Sequence, residues 1–328
     1  MKPFAWVDVT SEQQATAQLA EGGGAFAVKA GGVDVIEGLR RGLTAPARLI
    51  NILPIAALGS IVAEGRGVRI GAAVTLARLV GEPLLVPSLS AVAEAAASAA
   101  TPQIRNRATV AGNLLQRPRC WYYLHPDFTC LRKGGATCFA EAGDNRLHAI
   151  LGGGPSHIVH PSTLATALSC VEARLVIAAS GQAPREVALA DFFVLPAESP
   201  RREHRLGPGE LVTAVVIPEA AGGARSAYRA VKERSGNDRP LVEVAVSIAR
   251  RGEVVDRARV VLGGAAPIPW RSREAEAVVV GRALTPALAN EAAAVALAGA
   301  RPLSGNGYKV PLLRALIARA LLAAVAPE

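Results

Sequence analysis

No stretch of this chain constrains its fold as tightly as Thr101–Cys138. A turn of small residues, Thr109-Val110-Ala111-Gly112-Asn113, runs straight into a loop holding Cys120, Cys130 and Cys138, three of the four cysteines present. Phosphate needs backbone N–H donors at close range, and glycine lets the chain approach without a Cβ in the way. A secreted disulfide framework shows more cysteines in a shorter chain, so a cluster in 328 residues points to metal. Structural zinc sites carry cysteines in close pairs, and the C-x9-C-x7-C spacing here has none. Turn and loop together mark a redox centre held close to a bound nucleotide.

The elements around this stretch come in three groups. Phe4–Val9 reads as a strand, and Thr10 with Gln13 forms a capping box that opens a helix through about Ala20. Ala25–Ala30 is a second strand, followed by Gly31-Gly32-Val33-Asp34, a short helix to about Arg41 and a strand at Arg48–Asn51, a βαβ-type unit. From about Gly67 come a strand at Val68–Ala72, helices at Leu76–Val80 and Ser88–Ala99, the Asn113 turn and the cysteine loop. A strand is expected at Asn145–Leu151, a helix at Pro161–Val171 and a strand at Arg174–Ala179. Beyond about Ala183, four β-branched runs at hairpin spacing (Glu210–Ile217, Ser226–Lys232, Val242–Arg250, Val254–Leu262) precede helices near Pro286–Ala298 and Pro311–Ala324. This places an α/β region at 1–182 (lobes about 1–55 and 56–182, cysteine loop 117–157) and an α+β domain with an antiparallel sheet at 183–328.

Composition excludes several classes. No apolar run approaches about 18 residues, which argues against a membrane span. The N-terminus lacks a secretory pattern, so a cytoplasmic protein is expected, with periplasmic co-export on a partner left open. The net charge of +9 comes from arginines scattered singly or in pairs with few aromatics between them, which argues against nucleic acid. Gly31-Gly32 and Ala111-Gly112-Asn113 each follow a strand, but neither belongs to a Rossmann G-x-G-x-x-G or a P-loop. Two such turns on successive units can clamp a dinucleotide pyrophosphate from both sides.

The motifs resemble those of one family. Ala30-Gly31-Gly32-Val33-Asp34 is similar to the first FAD loop of the flavoprotein subunit of molybdenum hydroxylases, the xanthine dehydrogenase family. Gln103-Ile104-Arg105-Asn106 with Thr109–Leu114 resembles its second FAD loop. Tyr228-Arg229-Ala230-Val231-Lys232 and Leu262-Gly263-Gly264-Ala265-Ala266 with Pro269-Trp270-Arg271 resemble its C-terminal segments. The resemblance implies an α+β fold: a two-lobed FAD-binding domain of the vanillyl-alcohol-oxidase (PCMH) type plus a C-terminal domain with an antiparallel sheet. It implies FAD contacts from Val28, Lys29, Ala30, Gly31, Gly32, Val33 and Asp34, from Thr109, Ala111, Gly112 and Asn113, and from Arg229. Val33 stands where the family has threonine, removing a hydroxyl, and Ala111 replaces a common glycine, which is tolerable at negative φ.

The cysteine loop resembles the insertion of the aldehyde oxidoreductase type, which binds a [4Fe–4S] cluster. Cys120, Cys130 and Cys138 fit as ligands, soft thiolates suiting iron. Arg117, Arg119, Arg132 and Lys133 are expected to lower the thiol pKa values. Ser156 stands where the fourth cysteine belongs, with His157 beside it, so a serine- or histidine-completed [4Fe–4S] site, a [3Fe–4S] cluster and an empty loop are all open. Cys170, on the apolar face of a helix, is expected to be a buried, inert thiol.

The resemblance thus implies an electron-transfer subunit without catalytic residues of its own. Its expected partners are a molybdenum-cofactor large subunit and a [2Fe–2S] small subunit. The alternatives are a stand-alone FAD oxidoreductase of the same fold, or a flavin-free scaffold or basic binding subunit.

Overall fold

The computed structural model describes residues 1–85, 87–220, 223–234 and 238–326. The first unit is strand β1 (Ala5–Asp8), helix α1 (Glu12–Gly22), β2 (Phe26–Lys29), α2 (Val33–Arg40) and β3 (Arg48–Asn51). Its three strands are parallel in the order β1-β3-β2. Helix α1 is capped one residue later than expected: Ser11 Oγ accepts from Gln14 N at 3.2 Å, while Gln14 Oε1 accepts from Thr10 N at 2.9 Å. The N-cap half is that of a capping box shifted by one position, while Gln14 reaches past the N-cap to the N–H of the residue before it.

The second unit holds β4 (Ile61–Glu64), β5 (Gly67–Gly71), α3 (Leu76–Val80), α4 (Ser90–Ser98), α5 (Pro102–Arg105), α6 (Val110–Leu114), α7 (Trp121–Leu124), α8 (Thr163–Cys170), β6 (Arg174–Ala179), β7 (Arg185–Ala188), α9 (Leu189–Phe192) and β8 (Glu210–Ile217). Its sheet runs β4-β5-β8-β6-β7. The sequence pattern groups β8 with the C-terminal sheet, but the strand belongs here instead, antiparallel between β5 and β6. The reason is burial: Leu211, Val212, Ala214, Val215 and Ile217 are all buried, as a central strand with both faces covered demands.

The third unit comprises β9 (Arg225–Lys232), β10 (Pro240–Arg251), β11 (Val254–Gly263), β12 (Trp270–Arg271), α10 (Arg273–Val279), α11 (Pro286–Ala296) and α12 (Lys309–Val325), with an antiparallel sheet in the order β12-β11-β10-β9. Alternate residues of β10 serve two cores. Val242, Val244, Val246 and Ile248 join Leu313, Ile317 and Leu321 of α12 in one, and Ala245 joins the core of the first two units in the other. Helices α4 and α8 pack on this second face, so the third unit is joined to the second through direct side-chain packing and hydrogen bonds such as Thr166 Oγ1 to Glu243 Oε1.

Asn145–Leu151 is not a strand. Ile150 and Leu151 both donate to the Ala265 carbonyl, at 2.8 and 3.0 Å, and Ala149 donates to His157 O at 2.9 Å. The segment is apolar because it packs the cysteine loop onto the core of the third unit, with Ile150 only 1 % exposed. Among the described residues no helix is long and apolar enough to cross a membrane.

Candidate functional site

The first small-residue turn meets the chain just ahead of the second. A Cβ added at Gly31 would lie 1.7 Å from Arg107 O and 3.4 Å from Ala108 Cα, so glycine is required by space where the backbones meet. Gly32, at φ 85°, is the N-cap of α2 and needs glycine for its left-handed conformation. Lys29, at the end of β2, donates to Asn51 Oδ1 at 3.3 Å and lies over the Trp6 ring. Burial, then Arg107, holds its ammonium below the usual lysine range. Val28 and Ala30 flank Lys29 and pack against the core of the first two units, and Val33 opens the first turn of α2. Asp34 does not stand free: it accepts from Arg117 N at 3.2 Å and from the Arg119 guanidinium, tying the first turn to the start of the cysteine loop.

On the second turn Thr109 caps α6, its Oγ1 accepting from Gly112 N at 3.3 Å. Ala111 lies within this helix, at negative φ, so the alanine is unstrained. Val110 and Ala111 N–H donate to Val74 O and Ala72 O. Asn113 Oδ1 accepts from Ser162 Oγ at 2.6 Å, joining the turn to the N-cap of α8. Arg229 is placed elsewhere, its guanidinium 3.2 Å from Glu94 Oε2 and 2.7 Å from Tyr228 O on the α4 side of β9.

A cavity of about 260 Å³ opens where the cysteine loop, the start of α8 and the third unit meet. Arg119, Cys120, His148, His160, Glu243 and Lys309 line it, and only Cys120 among these was singled out for a site from the sequence. Junctions between domains are where ligand sites concentrate. Arg239, at its mouth, is reached by solvent yet surrounded by protein; burial, then Arg119, lowers its guanidinium to about 10. His160 is fully enclosed against Phe193, and burial lowers it to about 3, so it is neutral. Glu243 accepts from Tyr228 Oη at 2.6 Å and Thr166 Oγ1 at 2.8 Å, and burial raises its carboxyl above the ordinary range. Lys309 Nζ donates to three carbonyls, Leu147 O, His148 O and Gly264 O, at 3.1, 3.0 and 2.7 Å. The cavity carries Arg119, Arg234, Arg239 and Lys309 together with the carboxylates of Glu233, Asp238 and Glu243, and the first turn reaches it through the Asp34–Arg119 ion pair.

A second, small void of about 10 Å³ lies at the cysteine loop, with Cys120, Cys130, Cys138, His148 and Ser156 among its lining. The loop is shaped by local bonds, Cys130 bridging to Thr137 and accepting from Gly135 N, and by Tyr122, Phe128 and Phe139 packed ring to ring. His148 Nε2 is 3.2 Å from Cys120 Sγ. His157 does not face this void: its Nε2 lies 3.4 Å from Glu141 Oε1. Among the described residues no three His, Cys, Asp or Glu side chains converge tightly enough for a single metal ion. The three thiols are soft donors of the kind that suits iron–sulfur chemistry. The void itself has room for one water, so occupancy by anything larger requires the thiols to swing outward.

The expected cationic lowering of the thiols does not occur at Cys120, which burial raises to about 11. The cations are spent elsewhere: Arg132 and Arg117 on Glu203, Arg119 on Asp34, and Lys133 on the His125 carbonyl. Cys170 is buried, and burial pushes its thiol strongly up, as an inert thiol requires.

Comparison with known proteins agrees with this geometry. Residues 2–220 match the FAD binding domain in molybdopterin dehydrogenase, and residues 226–324 the CO dehydrogenase flavoprotein C-terminal domain. The aldehyde oxidoreductase FAD-binding subunit PaoB of Escherichia coli (strain K12) is 32% identical over 326 residues, covering 98% of each chain. The carbon monoxide dehydrogenase medium chain of Hydrogenophaga pseudoflava is 27% identical over 316 residues, covering 95% of this chain and 93% of that one. The solved carbon monoxide dehydrogenase of Hydrogenophaga pseudoflava superposes with a TM-score of 0.76 at 26% identity over 98% of this chain and 97% of that one. With both halves matched in order and the cavity at their junction, the chain belongs to the FAD-binding subunits of the molybdenum hydroxylase family.

Proposed function

We propose that this chain is the electron-transfer subunit of a molybdenum hydroxylase complex, working between a molybdenum-cofactor large subunit with its [2Fe–2S] small subunit and an external acceptor. Bound FAD supplies the redox chemistry. The turns at Gly31 and Thr109–Asn113, brought together by the approach of Gly31 to Arg107 and Ala108, are assigned to its pyrophosphate, and the 260 Å³ cavity to the flavin end. Arg239 offsets phosphate charge at the rim. Neutral His160 and the buried Glu243 set the polarity of the wall. Cys120, Cys130 and Cys138 are assigned to an iron–sulfur cluster, which supplies a second redox centre beside the flavin.

The observation that carries this reading is a shared wall. Cys120 and His148 line both the junction cavity and the cysteine void, so the two centres would be separated by single side chains. The test is flavin and iron per copy of this chain in the purified complex, with low-temperature EPR after dithionite reduction. One FAD with iron in excess of the partner's [2Fe–2S] centres is expected. FAD without excess iron removes the cluster and leaves the flavin role; absence of both overturns the reading.

A further inference from the structure

We infer that a cleft between the end of α2 and the cysteine loop is a binding site for a phosphate-bearing small molecule. The cleft has a volume of about 330 Å³, and Arg41, Arg117, Arg132 and Lys133 line it, with no carboxylate among its lining residues. It shares no lining residue with the junction cavity, and neither glycine turn contributes to it.

The four cations come from segments that the fold brings together. Arg41 is the C-cap of α2, Arg117 stands where the chain leaves α6 for the cysteine loop, and Arg132 and Lys133 lie in a single helical turn at Leu131–Lys133. Arg117 is held at both ends: its N–H donates to Asp34 at 3.2 Å, and its guanidinium lies 5.2 Å from the centre of the buried Tyr123 ring. Arg132 is 5% exposed and donates through Nε to Glu203 Oε1 at 3.0 Å. Two of the four side chains are thus ordered before any ligand arrives, which lowers the entropic cost of binding.

Their charge is not cancelled. Arg117 and Arg132 share the single carboxylate of Glu203, and Arg117 Nε, 3.4 Å from it, is buried without a hydrogen bond. Arg41 has Glu37 one turn back along α2. Lys133 has no carboxylate partner among the described residues, and its Nζ donates to a main-chain carbonyl, His125 O. Two carboxylates therefore answer four cations. A phosphate monoester, which carries about −1.5 to −2 at neutral pH, matches the excess. Guanidinium forks and a lysine ammonium are also the donors that phosphate oxygens accept from most strongly.

The walls select an organic phosphate over a bare ion. Leu43, Tyr123 and Pro126 add apolar surface beside the cations, and the volume lies in the range of small-molecule sites, about 300–1,000 Å³. Tyr123 and Arg132 also line the void at the cysteines, so the bound molecule would lie one side chain away from it.

The test is calorimetric titration of the purified complex with phenyl phosphate, inorganic phosphate and benzoate, at an ionic strength fixed with chloride. Complexes carrying Arg41→Gln or Lys133→Gln are titrated in parallel, with flavin per chain as the control for folding. Phenyl phosphate is expected to saturate one site per copy of this chain, more tightly than either inorganic phosphate or benzoate. Both side chains reach solvent, and each substitution should weaken phenyl phosphate about tenfold, as the loss of one charge-assisted hydrogen bond implies. Absence of saturable binding overturns the site, as do unaltered binding in both variants and inorganic phosphate bound as tightly as phenyl phosphate. Loss of a partner chain from the variants, without phosphate binding in the wild type, overturns it too and gives the cleft to an acidic protein surface. None of these results bears on the flavin reading, because the cleft and the junction cavity have separate linings.

Discussion

Replacing Gly31 with alanine tests whether the first turn must approach the chain just ahead of the second for FAD to bind. The new Cβ would sit 1.7 Å from the carbonyl oxygen of Arg107, against the 3.0 Å that real Cβ contacts respect, so 1.3 Å of separation has to be found. No side chain can supply it, because the obstacle is main chain. That main chain is itself held: Arg107 and Ala108 N–H donate to Ile104 O at 3.0 and 2.7 Å, and Ala108 O accepts from Leu76 N at 2.9 Å. Overpacking that forces backbone shifts costs about 1–3 kcal/mol. If the strain is relieved by parting the turns, FAD affinity falls by roughly tenfold for each 1.4 kcal/mol. If the turns stay together, the strain lowers Tm by about 2–4 °C per kcal/mol for a domain of this size. Gly32→Ala is the internal control. It carries a left-handed penalty of about 1–2 kcal/mol, but its Cβ meets at 3.0 Å only Ile36 Cδ1, the movable end of a side chain. The assay is FAD titration of the deflavinated protein by fluorescence, with calorimetry on the same samples. Gly31→Ala should be the more damaged of the two in both readouts. Unchanged Kd and Tm in Gly31→Ala would show that the close approach has no bearing on cofactor binding.

Buried charges yield further expected outcomes. Glu203→Gln leaves the buried Arg132, and Arg117 with it, without their carboxylate; urea unfolding should show a loss of about 3–5 kcal/mol, and a loss near zero would mean the pair is incidental. Glu243 has its carboxyl raised by burial above the ordinary 4.5, so its folding contribution is complete below the unfolded value and is withdrawn as pH rises through the folded one. Tm of the wild type should therefore fall relative to Glu243→Gln as pH rises above 4.5, and parallel Tm–pH curves would contradict this. Lys309→Met strips donors from the Leu147, His148 and Gly264 carbonyls, at roughly 1–3 kcal/mol for each group left unsatisfied; cluster iron should fall further than bound flavin, and a variant with wild-type iron and stability would dismiss the pin.

What the sequence made legible tracks the range of the interactions involved. Arg48–Asn51, Leu76–Val80, Arg174–Ala179 and Glu210–Ile217 appear in the structure with the bounds their patterns set, because strand and helix periodicity is local. The sheet to which β8 belongs was not legible, since a β-branched run is equally at home beside β5 or β9 and only tertiary packing chooses. Asn145–Leu151 has a strand's apolar content, yet its N–H groups go to Ala265 and His157 neighbours that no local pattern announces. The glycine turns were legible because a backbone approach leaves a compositional trace, and the cysteines because thiols are few. His148, His160 and Lys309 left no such trace. Each is an isolated residue that becomes part of a site when segments distant in sequence close around it.

The two pockets are one construction. Asp34 of the first turn holds Arg117 N and the Arg119 guanidinium, immediately before Cys120, while Lys309 holds the carbonyl of His148, which touches Cys120 from the other side. The sulfur that faces both cavities is thus fixed between a turn of the first unit and a helix of the third. A displacement at either anchor moves the common wall, so the cofactor end and the cysteine end respond together. Additivity fails for residues coupled through a shared cavity, and Arg119, which Asp34 holds, lines the same cavity as Lys309. The changes in FAD binding free energy in Asp34→Asn and in Lys309→Met, measured singly and combined, should therefore differ from a simple sum by more than about 0.5 kcal/mol. Strict additivity would mean that the two anchors act on separate sites and that the shared wall transmits nothing.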